Sequence, residues 1–195
     1  QLIVPSFPGY LDWVPPPTLD FLRRQFLTND GKLSKPAPRQ LPKRFYISRA
    51  QARYRQVLNE PAVIDLLSRY GFETVVLETL TVAEQAQLFA GAEAIVSPHG
   101  SGLTNLAFCA PNTIVIECFS PHYLRTDYWM ISQYLGLSHY YLMGETCRFP
   151  PLQQLMYPSA LVEDFLVDID SLRSLIKTAG LASQDIGLSR EIDSS

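Results

Sequence analysis

The chain has 195 residues, 47% of them apolar, and a formal net charge of -3 at neutral pH. That length supports one substantial core, so a single domain with extensions is expected. The acidic balance argues against a nucleic-acid partner. No run of eighteen uncharged apolar residues exists to span a bilayer, and the segment from Gln1 to Val14 lacks the basic start of a signal peptide.

Residues 1–43 read as an approach segment, rich in proline, with a short helix expected over Thr18–Leu27. The opening at Gln1 suggests that further sequence, including an N-terminal domain, precedes this stretch. Arg23, Arg24, Lys32, Lys35, Arg39, Lys43 and Arg44 are expected to form a solvated basic face or linker. The regular domain is assigned to residues 44–180 and a polar tail to residues 181–195.

Arg44 to Ser48 is a short β-rich run, and Glu60-Pro61 opens a helix that continues to Tyr70, with Gly71 as its C-terminal cap. Phe72 to Leu77 repeats the strand, and Thr81 with Glu84 forms a capping box that starts a helix ending near Gly91. Ala94 to Ser97 is a third strand, followed by the turn Pro98-His99-Gly100-Ser101-Gly102 and a helix over Leu103–Phe108. Thr113 to Cys118 is nearly all apolar, as in a strand buried on both faces. Tyr128 to Leu135 reads as a helix, His139 to Leu142 as a fifth strand, and Asp164 to Ile169 as extended. Ser171 to Ala179 closes the domain, with Asp170 as its expected N-cap. Strands alternating with helices at this spacing imply βαβ units and therefore an α/β fold, a Rossmann-like open parallel sheet with helices on both faces.

In such a sheet ligands bind beyond the carboxyl ends of the strands. Those ends carry Arg49, Glu78, the segment His99 to Gly102, and Glu117. Gly100 and Gly102 around Ser101 let backbone N–H groups approach an anion at the start of a helix, and diphosphate is the guest this suits. Ser101 and Thr104 offer hydroxyls, His99 a ring N–H, Arg49 a planar fork, and Arg53 or Arg55 a second one. Glu117, ending an apolar run, needs a partner, which ribose hydroxyls or an arginine would supply. Glu78 is placed with the nucleotide as well.

A serine hydrolase is excluded because His99 stands where a nucleophile elbow requires glycine, and a dinucleotide fingerprint fails because Asn105 replaces its third glycine. Cys109, Cys118 and Cys147 are read as reduced and structural. Asp168-Ile169-Asp170 has the D-x-D form but sits far from the strand ends, so no metal is expected.

The pattern from Phe45 to about Gly136 resembles the C-terminal domain of glycosyltransferase family 61. The resemblance rests on Tyr46 to Arg49, Arg55 with Asn59-Glu60, Glu78, Glu84-Gln85, His99 to Asn105 and Ile116-Glu117. It implies the C-terminal half of a GT-B fold, a UDP-sugar donor used as substrate without a further cofactor, and inverting transfer to a glycan or protein hydroxyl. The catalytic base would then lie in the N-terminal domain, and the isolated chain is expected to bind nucleotide weakly and transfer little sugar. A bacterial cytosolic enzyme of envelope polysaccharide synthesis is the expected setting, with the secretory lumen as the eukaryotic counterpart. Competing readings are a non-catalytic module of the same fold and an enzyme acting on another nucleotide.

Overall fold

The computed structural model describes residue 9 and residues 13–27, 41–146 and 149–182. Among these residues five strands form one sheet: β1 (Arg44–Ile47), β2 (Glu73–Val75), β3 (Ala94–Pro98), β4 (Ile114–Phe119) and β5 (Ser138–Met143), in the order β2-β1-β3-β4-β5. Every pairing is parallel. The chain leaves β1 to one side for β2 and returns to the other side for β3. A crevice therefore opens between the carboxyl ends of β1 and β3, at the point where strand order reverses.

Among the described residues there are six α-helices: α1 (Pro16–Phe26), α2 (Glu60–Ser68), α3 (Val82–Ala90), α4 (Asp127–Leu135), α5 (Pro150–Met156) and α6 (Ile169–Thr178). Alternation along each strand divides the interior in two. Phe45, Ile47, Ile95 and Val115 pack with Leu19, Leu88, Phe89 and Leu106, contributed by α1, α3 and the segment after β3. Tyr46, Val96, Ile116 and Cys118 pack on the opposite face with Val63, Leu67, Leu172 and Ile176 of α2 and α6. Both faces are greasy, as parallel sheets require.

Local chemistry explains several boundaries. Thr81 accepts from the Glu84 amide while the Glu84 carboxylate returns to the Thr81 N–H at 2.8 Å, completing the capping box of α3. Gly71 and Gly136 stand at φ +76° and +68°, the left-handed region that suits glycine after a helix. Asn59, just before α2, holds the closing part of the chain: its amide donates to the Val167 carbonyl at 2.8 Å and its oxygen accepts from the Val167 N–H at 2.9 Å.

The structure departs from expectation in particular places. Rather than belonging to a detached approach segment, α1 is built into the core: Leu19 is buried, and Arg23 Nη1 donates to the carbonyls of Ala107 and Cys109 at 2.7 and 2.9 Å. Arg23 is thus a structural donor, not part of a solvated basic face. Asp168, not Asp170, caps α6, because its carboxylate accepts from the Ser171 N–H at 2.7 Å; Asp170 lies within the first turn and pairs with Arg173. β2 is only three residues long, since the chain turns at Leu77–Thr79 into a 3-10 helix. The segment after β3 is likewise a 3-10 helix, Ser101–Phe108, beginning two residues earlier than expected. α5 had no sequence signal strong enough to expect it. Cys109 and Cys118 are free and buried, which raises both thiols and carries Cys118 up to about 12. Cys147 lies outside the described residues.

Candidate functional site

Arg49 leaves β1 at the switch-point crevice. Its backbone N–H reaches Glu60 Oε1 at 3.4 Å, the same oxygen that accepts from the Tyr46 hydroxyl at 2.9 Å, so the first turn of α2 anchors the strand end. Its Nη2 donates to the Tyr54 carbonyl at 2.9 Å, and its Nε, although buried, meets no partner among the described residues. The guanidinium passes directly over Gly100 of the β3 loop. Burial pulls its pKa below the usual arginine value, and the positive charge of Arg55 adds to that, while Glu78 opposes it.

His99 follows the last residue of β3 and precedes Gly100. Because Ser97 pairs with Glu117 and Glu117 with Tyr141, His99, two positions after Ser97, and His139, two positions before Tyr141, lie on the face of Glu117. The result is a buried relay: His99 Nδ1 lies 2.6 Å from Glu117 Oε1, His139 Nε2 lies 3.1 Å from Oε2, and Ser132 Oγ lies 2.7 Å from His139 Nδ1. A carboxylate only accepts, so both imidazoles turn an N–H toward it, and Ser132 donates to the remaining nitrogen of His139. His99 is thereby left with Nε2 facing away from Glu117. Around its ring stand Phe119, Tyr123 and Tyr128, with centroids 5.1, 5.3 and 5.2 Å away.

The expected site residues thus separate. Arg49 and Gly100 are brought together, and the His99 ring shares Tyr128 as a neighbour with Arg49. Ser101 is exposed at the start of the 3-10 helix, where the first amides lack carbonyl partners within the helix. Gly102 answers to packing: a β-carbon there would come 2.7 Å from Leu77 Cδ1. Thr104 shares a hydrogen bond with Tyr128, whose hydroxyl burial raises. Glu78 is exposed on the 3-10 turn after β2, within electrostatic reach of Arg49.

Two expectations are corrected. Glu117 is 1% exposed with both oxygens held by imidazoles, so it orients His99 instead of meeting ribose. Arg53 is exposed and lies over the Tyr54 ring, whereas Arg55 turns inward, with its Cζ 5.0 Å from the Tyr123 centroid and its charge felt by Arg49. Arg55 is therefore the second guanidinium. A non-glycine φ of +55° at Arg55 bends the chain to achieve this.

A cavity of about 420 Å³ opens on the same face, lined by Glu117, Phe119, Leu124, Arg125, Trp129 and Tyr141 among others. It lies over β4 and β5, roughly 10 Å or two strand spacings from the Arg49 crevice. A hollow of about 660 Å³ beside Lys43, Arg44 and Glu93 sits at the amino ends of the strands, the wrong edge for a ligand of this fold. Among the described residues no group of three or more His, Cys, Asp or Glu is arranged to hold a metal. No helix among them is long and apolar enough to cross a membrane.

His139, Tyr123, His122 and Glu163 were missed by sequence reasoning. For His139 a signal existed: with β3, β4 and β5 adjacent, period-2 alternation alone places it on the face of Glu117. Glu163 is buried and takes hydrogen bonds from Ser120, His122, Thr146 and Gln153, partners 43, 41, 17 and 10 residues away. No local pattern announces such a hub.

Fold and site together define a Rossmann-like α/β domain with a cationic crevice at its topological switch point. The family described as Glycosyltransferase 61 matches residues 1–116, more than half of the chain, and the chain belongs to that family. The match takes in α1, Arg49 and the whole His99 loop, and ends one residue before Glu117. The chain is also similar to a beta-1,2-xylosyltransferase of Arabidopsis thaliana, with 26% identity over 87 residues, 44% of this chain. That stretch is 16% of the relative's length.

Proposed function

We propose that this chain is the donor-binding part of a glycosyltransferase that takes a nucleotide-sugar, a UDP-sugar in particular, and passes the sugar with inversion to a hydroxyl of a glycan or protein. Family membership and the similarity to a xylosyltransferase support the activity. The observation that carries the donor reading is the seating of the Arg49 guanidinium on Gly100, in the loop that His99 begins, at the switch-point crevice.

Breaking the bond between sugar and diphosphate places negative charge on the departing oxygens, and groups already aimed there lower the barrier. In this proposal Arg49 and Arg55 meet the phosphates, Ser101 and the first amides of the 3-10 helix bind the outer oxygens, and His99, its Nδ1–H held by Glu117, presents Nε2 as an acceptor for a donor hydroxyl. Glu117 and His139 keep that imidazole from turning. The aromatic cavity over β4 and β5 then receives the nucleoside, whose length matches the separation from the crevice, with Trp129 and Tyr141 as stacking surfaces.

Saturation-transfer NMR with UDP, ADP and pyrophosphate tests the reading. UDP is expected to bind weakly, with Kd on the order of 0.1–1 mM, and to show its strongest transfer at the base protons. Binding of none of the three would remove the donor reading; binding of pyrophosphate alone would remove the nucleoside part.

A further inference from the structure

A second imidazole–carboxylate pair lies outside the groups assigned above. Of the three histidines in the chain, His99 and His139 are enclosed, whereas the His122 side chain is 52% exposed. Its Nδ1 lies 2.8 Å from Oε2 of the buried Glu163. Ser120 also donates to Oε2, at 3.1 Å, and Thr146 and Gln153 donate to Oε1, at 2.7 and 2.6 Å. These bonds outweigh the cost of burial and hold the carboxyl below its usual range. With four donors on two oxygens, Glu163 is a carboxylate at neutral pH, and His122 must turn its Nδ1–H toward it. The Gln153 amide nitrogen, 3.0 Å from the same Nδ1, donates to Oε1. Nε2 of His122 is left as a fixed, exposed acceptor.

The pair stands at the rim of the crevice. Tyr123 N–H bonds the Ser120 carbonyl at 3.1 Å, closing a turn that carries both His122 and Tyr123. Tyr123 contacts His99 and lies under Arg55, and Arg55 Nη1 donates to the carbonyl of Leu161, two residues from Glu163. The turn and the Glu163 segment thus form one wall beside the cationic groups.

We propose that His122, oriented by Glu163, is the base for the transfer step, in place of the N-terminal-domain base that the family resemblance implies, an inference that rests on the glycosyltransferase reading. The acceptor hydroxyl gives its proton to His122 Nε2 as its oxygen bonds the anomeric carbon. The bond from that carbon to the diphosphate breaks, and its electron pair leaves with the diphosphate oxygen. An imidazole preset in one tautomer by a carboxylate suits this role. Glu163 is a positioning residue.

Two measurements on the full chain test it. Diethyl pyrocarbonate, which acylates unprotonated imidazole nitrogen, is expected to label His122 fast and His99 and His139 slowly, as mapped by mass spectrometry. UDP-xylose or UDP-glucose, whichever binds, is expected to slow His122 labelling while UDP leaves it unchanged, because only the sugar approaches the base. Labelling indifferent to a bound UDP-sugar overturns the proposal. In transfer assays His122→Ala is expected to lose at least about 100-fold in kcat with UDP affinity unchanged, and to recover on addition of free imidazole. Wild-type rates in His122→Ala would overturn it, as would a loss that imidazole does not restore. Failure of the wild type to bind any of these nucleotides would instead remove the donor reading.

Discussion

The guanidinium of Arg49 lies against the α-carbon of Gly100, so close that a β-carbon there would stand 3.1 Å from Cζ and nearer still to Nη1. Two residues fifty-one positions apart are in this way fitted to one another. Gly100 is in extended backbone, with φ 171°, which any residue adopts, so the requirement for glycine at this point is one of space.

Gly100→Ala is therefore expected to displace Arg49 while sparing the fold, since the far end of a flexible side chain moves cheaply. UDP affinity should fall about tenfold, or ~1.4 kcal/mol, with thermal stability close to wild type. Calorimetric titration alongside a melting curve checks both.

Gly102→Ala should behave in the opposite manner. Its β-carbon would meet Leu77 Cδ1 at 2.7 Å and Ile47 Cγ2 at 3.8 Å, inside the core. Overpacking of this kind costs about 1–3 kcal/mol. Urea denaturation should register that loss, whereas an unchanged midpoint would show that the core yields there.

Glu117→Gln replaces an acceptor of two imidazole N–H groups by a group that accepts on one side only. The mismatch should cost about 1–3 kcal/mol of stability, and His99 should lose its fixed orientation. A drop in melting temperature accompanied by weaker UDP binding is expected; stability and binding both at wild-type level would contradict the relay.

Acid stability follows from Glu163. Its carboxyl is held below the ordinary value of 4.5 in the folded chain, so the native state binds this proton less readily than the unfolded state does. The stabilisation is fully present above about pH 4.5 and is lost as pH falls through the lower folded value. Glu163→Gln should accordingly be less stable than wild type at about pH 7, with the gap narrowing at about pH 3. A gap independent of pH would show that the carboxylate charge contributes nothing.

The fold was legible in the sequence because its signals are local. The capping box at Thr81, the apolar runs of β3 and β4, and the glycines that end helices each fix an element with neighbours in sequence. The crevice was legible for the same reason as far as Arg49 and the His99 loop, which lie at strand ends that the βαβ order brings to one edge. What stayed hidden depends on side chains meeting across the sheet. Glu117 ends an apolar run and needs a partner, but only the pairing of β4 with β3 and β5 shows that the partners are His99 and His139. Arg53 and Arg55 are equivalent on paper, and the positive φ at Arg55 separates them. Asp168 and Asp170 are likewise indistinguishable until the first turn of α6 is drawn.

The seating of Arg49 on Gly100, in the loop that His99 begins, is tested most directly by calorimetric titration of UDP into wild type, Arg49→Ala and Arg53→Ala under identical salt. The site described here requires at least a tenfold loss, about 1.4 kcal/mol, for Arg49→Ala and wild-type affinity for Arg53→Ala, whose side chain points to solvent. Equal affinity in all three proteins, or a loss confined to Arg53→Ala, would contradict it.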